Sequence, residues 1–327
     1  MLNSFSLKAA LAALCSLGMA AASHAAVVSA TELARPDGAR AYLMVTPEHP
    51  APGKHPLVIL LHGHGGTAAQ LLGRERLAAP LSVWLQIAER EQLLLAAPDG
   101  KRGADGKQGW NDCRADATSN PKSDDVGMVK AVIARAIAEH DADPTRIYVM
   151  GMSNGGFMTM RLAVELGAQL AGVATVGAST AANSLCPAPA APISVLMVAG
   201  TADPVVPYAG GEIRFFALKS RGAVTPVEDA ALAWRQLDRL ATAPQTTEVP
   251  HRDRADPTHA TRFLWGADPR RLQVGLIKVD QGGHAEPSIA KRLPWAYTML
   301  VGAQNGDLEI AEEAWAFFKD KRAGLQP

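Results

Sequence analysis

The stretch RIYVMGMSNGG, residues 146–156, decides the fold. Ile147, Tyr148, Val149 and Met150 form a short β-prone apolar run, as a strand buried on both faces requires. Gly151-Met152-Ser153-Asn154-Gly155 fits the pattern G-x-S-x-G, and Phe157 to Leu166 reads as a helix. Strand, sharp turn and helix are the setting in which that pattern marks a nucleophile elbow. The turn holds its serine in strained backbone angles, and side chains two positions to either side would collide. Glycine at 151 and 155 removes the collision. The serine oxygen then stands above the sheet edge, facing the positive end of the helix that follows. A small-residue turn can match the pattern by chance, so the reading requires an acid and a histidine further along the chain.

The acid belongs at the carboxyl end of a later strand. Asp203 meets that condition: Ile193 to Ala199 reads as a strand, and Gly200-Thr201-Ala202-Asp203-Pro204 as the turn after it. Taken in isolation, Asp203 reads equally well as a turn aspartate bonding its own backbone. Chain order leaves His251, His259 and His284 as bases. His251 lies in a charged segment and His259 borders a strand, so both read as surface residues. His284 follows the Val274 strand through Asp280-Gln281-Gly282-Gly283, a turn able to carry an imidazole over the sheet. The order Ser153, Asp203, His284 is therefore the expected catalytic set.

Two backbone N–H groups are expected to hold the oxyanion, one from Asn154 and one from the loop after the Leu57 strand, where His64 stands within His62-Gly63-His64-Gly65. Reading His62 and His64 as a metal pair is disfavoured, because i, i+2 histidines in a glycine turn lack obvious further ligands. No metal or other cofactor is expected. Trp110 and Asn111, in the polar loop Lys101–Lys122, are candidate substrate-binding residues, although a tryptophan there serves packing as readily as recognition. Glu286 and Trp295 are weaker candidates of the same kind.

Outward from the elbow, strands are expected at Ala39–Thr46, Leu57–Leu61, Leu93–Ala97 and Gly172–Val176, and, after the Ile193 strand, at Thr261–Trp265 and Val274–Val279. Helices are expected after Pro80, after Ser123 or Asp124, at Ala230–Leu240 and at Ile310–Phe318. Alternating strands and helices indicate an α/β fold with a mostly parallel, doubly covered sheet, and no linker separates a second domain. Asp143-Pro144 is expected to break the chain before the Ser153 strand.

Lys8 followed by the apolar or small run Ala9–Ala22, with Ser23-His24-Ala25 as a cleavage site, reads as a signal peptide over residues 1–25, leaving 26–327 as the mature domain. The expectation is an exported protein, secreted or periplasmic, with no membrane insertion once the leader is removed. Lys+Arg and Asp+Glu are equal at 32 each, and no basic cluster stands out, which argues against nucleic acid as a partner. Cys113 and Cys186 are the only thiols after the leader. In an exported chain such a pair more often forms a disulfide than a metal site, with two free buried thiols as the alternative.

The segments LLHGHGG (60–66), AAPDG (96–100), GWND (109–112), DDVGM (124–128), RIYVMGMSNGGFM (146–158), AGTADPVVPYAGG (199–211) and DQGGHAEPS (280–288) together resemble the polyhydroxybutyrate depolymerase family of exported esterases, with feruloyl and acetylxylan esterases in the same neighbourhood. The resemblance covers most of the mature chain. It implies an α/β-hydrolase fold, metal-free ester hydrolysis of a small-molecule or polymeric substrate, and Ser153, Asp203 and His284 as the triad. Related members often carry Cys where His64 stands, and an aromatic residue and Pro where this chain has Ala285-Glu286-Pro287 after the histidine. A serine peptidase on the same fold and a non-catalytic carbohydrate- or lipid-binding module are the competing readings.

Overall fold

The computed structural model describes residues 25–75, 79–215 and 220–324. The leader expected over residues 1–25 lies, but for Ala25, outside the described residues. Ten strands form one sheet: β1 Val27–Leu33, β2 Arg40–Thr46, β3 His55–Leu61, β4 Leu94–Pro98, β5 Ala142–Met152, β6 Gly172–Val176, β7 Val195–Gly200, β8 Gln245–Glu248, β9 His259–Trp265 and β10 Val274–Asp280. Their order across the sheet is β1-β2-β4-β3-β5-β6-β7-β10-β9-β8. The six central strands, from β4 to β10, run parallel. The pairs at both edges are antiparallel.

The central strands are largely apolar and buried through their middles, where helices cover both faces. In β3, Leu57, Ile59 and Leu61 enter one core, while Val58 and Leu60 enter the other, following the two-residue alternation of a strand. The first core is closed by α3 (Asp125–Glu139), α4 (Asn154–Leu166) and α5 (Val227–Leu237). The second is closed by the short α1 (Ala68–Leu71), α2 (Trp84–Glu91) and α7 (Ile310–Phe318). Helix α3 starts at Asp124, whose carboxylate accepts the Gly127 N–H at 2.8 Å, and Asp125 in the first turn suits the positive helix end. Among the described residues no helix is long and apolar enough to cross a membrane.

Chain order places the working end of the sheet. From β3 the chain crosses to β4 on one side, then returns past β3 to β5 on the other. Adjacent connections therefore diverge at the carboxyl ends of β3 and β5, which is where open α/β sheets leave a crevice. The register puts Leu61 opposite Gly151, so the glycine loop after β3 and the turn after β5 lie side by side.

Several expectations need correction. Asp143-Pro144 does not break the chain before the Ser153 strand; both residues lie inside β5, near its start, beyond the reach of most of the β3 ladder. Strands β1 and β8 lie on the sheet edges and show no readable run: β8 is polar and exposed, and β1 is interrupted by polar residues with none of its positions fully buried. Helix α6 (Trp295–Val301) went unread for the converse reason: its large apolar residues face outward, with Trp295 76% and Met299 74% exposed.

One buried acid sits in this scaffold away from the crevice. Asp238 caps the carboxyl end of α5; one oxygen accepts the Ile193 N–H at 3.2 Å and the other has no partner. Burial pushes its pKa up to about 7 from 3.8. A folded-state pKa above the unfolded value means the folded protein binds the extra proton. The stabilisation is complete below about pH 4 and is lost as pH rises through about 7. Asp238→Asn is expected to remove this component. The stability of wild type relative to the variant should fall by up to about 4 kcal/mol between pH 4 and 8, at about 1.4 kcal/mol per unit of pKa. Urea midpoints at the two pH values check it, and a pH-independent gap would contradict the buried acid.

Candidate active site

The turn after β5 has the strain that the glycine spacing predicts. Ser153 has φ 54° and ψ −119°, and it caps α4, which begins at Asn154. A Cβ on Gly151 would stand 2.2 Å from the Gly155 oxygen, and one on Gly155 would stand 2.2 Å from the Leu61 oxygen. The elbow is thus closed against both its own helix and β3, and only hydrogen fits at these positions. The Ser153 N–H donates to the Val176 oxygen at 2.8 Å, which ties the strained residue to the end of β6.

The structure brings Asp203 and His284 to this serine. Asp203 lies three residues beyond β7 and His284 four beyond β10, and these strands are neighbours. His284 Nε2 lies 2.9 Å from Ser153 Oγ, and Nδ1 lies 2.7 Å from Asp203 Oδ2. A carboxylate accepts only, so Nδ1 carries the ring proton and Nε2 is left to accept from the serine hydroxyl. The other Asp203 oxygen accepts the N–H groups of Val205 and Val206, each at 2.8 Å. The His284 N–H donates to the Val301 oxygen at 2.6 Å, anchoring the loop to α6. Gly177, at φ +59°, lets the imidazole approach: a Cβ there would be 3.0 Å from the ring. The other two later histidines are elsewhere; their rings lie 4.4 Å apart, tilted by 40°, and His251 pairs with Asp307 at 3.0 Å.

Opposite the serine, neither the His64 nor the Asn154 backbone N–H donates to any described residue. The side chains of the same loop are fully engaged. His62 Nδ1 donates to the Gly63 oxygen at 2.8 Å, while Nε2 accepts the Gly100 N–H at 3.0 Å. Burial lowers its pKa, so the ring is a neutral brace between two loops. The His64 ring is bonded at both nitrogens, to Arg221 and to Asp105. Burial, then the Arg221 charge, lowers its pKa to about 4. Neither ring has a nitrogen left for a metal, and no group of three or more ligating side chains is found among the described residues.

Trp110 and Asn111 are not where a substrate would meet them. Trp110 is fully buried; its indole N–H donates to the His62 oxygen at 2.8 Å, and its backbone N–H donates to Asn154 Oδ1 at 2.8 Å. Asn111 is tied to the start of α3, its N–H donating to Asp125 at 2.7 Å and its side-chain amide to the Ser123 oxygen at 2.9 Å. A tryptophan in a polar loop signals an anchor here because the loop folds back over the first core. Glu286 is buried, and burial raises its pKa.

That loop is held by Asp112 and Arg114, which sequence reasoning missed, and by the disulfide it expected between Cys113 and Cys186. Asp112, 3% exposed, accepts from Asn154 Nδ2 at 2.7 Å and pairs with Arg114 at 2.6 Å. Between them in sequence, Cys113 is bonded to Cys186, 73 residues away. The Leu185 N–H donates to the Cys113 oxygen at 2.8 Å, so the bridge continues a short pairing of the two loops. The adjacent acid and arginine around a cysteine were the only local hint.

A family profile described as phospholipase/carboxylesterase matches residues 44–225. NocK of Nocardia uniformis subsp. tsuyamanensis, whose name assigns it provisionally to the esterases, is 29% identical over 299 residues, 89% of this chain and 83% of NocK. Feruloyl esterase B of Neurospora crassa is 35% identical over 127 residues, 37% of this chain and 40% of that protein. Poly(3-hydroxyalkanoate) depolymerase C of Paucimonas lemoignei is 27% identical over 125 residues, 38% of this chain and 28% of that protein. In structure, an acetyl xylan esterase from Aspergillus awamori superposes with a TM-score of 0.52 at 13% identity, covering 83% of this chain and 98% of that one. That likeness shows the α/β-hydrolase fold alone.

Proposed function

The chain belongs to the phospholipase/carboxylesterase family and is a carboxylic ester hydrolase; on that premise we propose that hydrolysis passes through an acyl-enzyme on Ser153. The observation that carries this is the continuous line Asp203–His284–Ser153, at 2.7 and 2.9 Å, made by groups 81 and 131 positions apart. His284 Nε2 takes the hydroxyl proton as Oγ attacks the ester carbonyl. Asp203 holds the Nδ1 proton and stabilises the imidazolium that forms. The tetrahedral oxyanion is held by the N–H groups of His64 and Asn154. Their lack of any partner among the described residues, at a helix start and in a glycine loop, supports that role. The intermediate collapses, and the leaving alcohol takes the proton from Nε2. Water then repeats the cycle on the acyl carbonyl, giving the acid and free Ser153.

The substrate class we assign is a hydroxyalkanoate oligomer or a feruloyl or acetyl ester of a plant polysaccharide, a choice supported by the names of the relatives. The exposed Trp295 and Met299, on the helix bonded to the His284 backbone, suit a substrate with an apolar portion large enough to extend beyond the crevice. The reading includes export to the periplasm or medium, with residues 1–25 removed and 26–327 acting as one catalytic domain. The Cys113–Cys186 bridge supports an oxidising compartment.

A fluorophosphonate tests the nucleophile. The native protein should gain one adduct, on the peptide carrying Ser153. A folded protein that takes no label would favour the binding module and end the hydrolytic assignment to this serine. A panel of methyl ferulate, acetylated xylan and hydroxybutyrate oligomers then separates the substrate classes, the preferred one giving the highest kcat/KM.

A further inference from the structure

The two residues assigned to the oxyanion hole stand 90 positions apart, and each is held by its side chain. The Asn154 amide is bonded at both ends: Oδ1 accepts the Trp110 N–H at 2.8 Å, and Nδ2 donates to Asp112 at 2.7 Å. The His64 ring is likewise bonded at both ends: Nδ1 accepts from Arg221 Nη2 at 2.9 Å, and Nε2 donates to Asp105 at 2.8 Å. These two anchorages are joined. Arg114 pairs with Asp112 through Nε and Nη2, and its Nη1 donates to the Arg221 carbonyl at 2.9 Å. Arg221 is fixed further by a 2.9 Å bond to Ser119 Oγ and by Asp105 at 3.5 Å.

We infer that Arg221 is a positioning residue, which through the His64 ring, and through Arg114 and Asp112 to Asn154, holds the two oxyanion N–H groups at a fixed separation. The inference rests on the assignment of those N–H groups in the proposed function. The physical need is local. His64 sits in a loop with glycines at 63, 65 and 66, which permits close approach to substrate but leaves the peptide direction poorly specified. An oxyanion donor is effective only when preorganised to within a fraction of an ångström, and a misplacement of about 1 Å costs as much as 10²-fold. The planar guanidinium supplies that direction, because Nη2 has two protons at fixed angles, one aimed at His64 Nδ1 and the other at Ser119 Oγ. The neutral state of His64 is part of the arrangement, because a ring protonated at Nδ1 could not accept from Arg221.

The test is kinetic. Arg221→Met should lower kcat by about 10- to 100-fold with KM within about threefold of wild type. The affinity of a trifluoromethyl ketone, whose hemiketal oxyanion occupies the hole, should fall by the same factor as kcat. Arg221→Lys, with a freely rotating ammonium in place of the planar guanidinium, should fall between. A role confined to packing would leave kcat and inhibitor affinity unlinked. Should Arg221→Met not fold, His64→Ala supplies the same readout, since it keeps the backbone N–H and removes the anchored ring. The inference is overturned when either folded variant keeps kcat and ketone affinity within twofold of wild type. Ser153→Ala run in parallel separates the two claims. An active Ser153→Ala removes the catalytic reading itself, whereas an inactive one beside a wild-type-like Arg221→Met removes only the positioning role.

Discussion

Ser153→Ala is expected to lower kcat on a p-nitrophenyl short-chain ester by about 10⁵- to 10⁶-fold, with little change in KM. The proposed attack, proton transfer and acyl-enzyme all pass through one oxygen. Removing it leaves the His284–Asp203 pair with no proton to accept. What survives is binding and the oxyanion donors acting on attack by water, of order 10³- to 10⁴-fold over the uncatalysed reaction. The fold should tolerate the change. Alanine keeps the Cβ that the elbow already accommodates at φ 54°, and the Ser153 N–H to Val176 bond does not involve the side chain. Pre-steady-state traces at high enzyme concentration should lose the burst of p-nitrophenol. A folded variant that retains a tenth of the wild-type rate would place the nucleophile elsewhere.

Asp203→Asn is the second large effect, about 10⁴-fold in kcat with the geometry preserved. The reason lies in the partners of the carboxylate. One oxygen accepts two backbone N–H groups, from Val205 and Val206, and the other faces His284 Nδ1. An asparagine keeps its carbonyl oxygen toward the two N–H donors, because turning the amide would set a donor against two donors at 2.8 Å. Its NH₂ must therefore face Nδ1 and donate to it. The ring proton moves to Nε2, the atom that should accept from Ser153 at 2.9 Å. The base is present, correctly placed and in the wrong tautomer. Rates on the p-nitrophenyl ester, with near-UV circular dichroism as the control for folding, check it. A loss below tenfold would mean that Asp203 only shapes its turn, the bland reading open to any aspartate in that position.

Much of the candidate site was legible in the chain because its parts sit at strand ends. The apolar run Ile147–Met150 in the second half of β5, followed by G-x-S-x-G, leaves one local geometry, and Gly155 against the Leu61 oxygen shows why no other residue serves there. Asp203 and His284 were legible by position: each follows an apolar strand through a short turn. Trp110 misled because a tryptophan among polar neighbours looks the same whether its ring faces a crevice or, as here, the underside of the His62 loop. Asp105 and Arg221 gave no signal, being ordinary charged residues in loops, and Asp112 and Arg114 gave only the hint of an acid and an arginine flanking a cysteine.

Local sequence was sufficient wherever a short-range constraint acts on few residues, as in the strained turn at Ser153, the helix start at Asp124 and the alternation of β3 between two cores. Steric exclusion and side-chain periodicity operate over a handful of positions, so they are written into neighbouring letters. Tertiary structure alone decided which charges meet. Arg221 reaches His64 across 157 positions and Arg114 reaches the Arg221 carbonyl across 107, because crossover connections bring the loops after β3, β4 and β7 to one sheet end. A guanidinium is directional only once its partners are fixed, and it is the fold that fixes them.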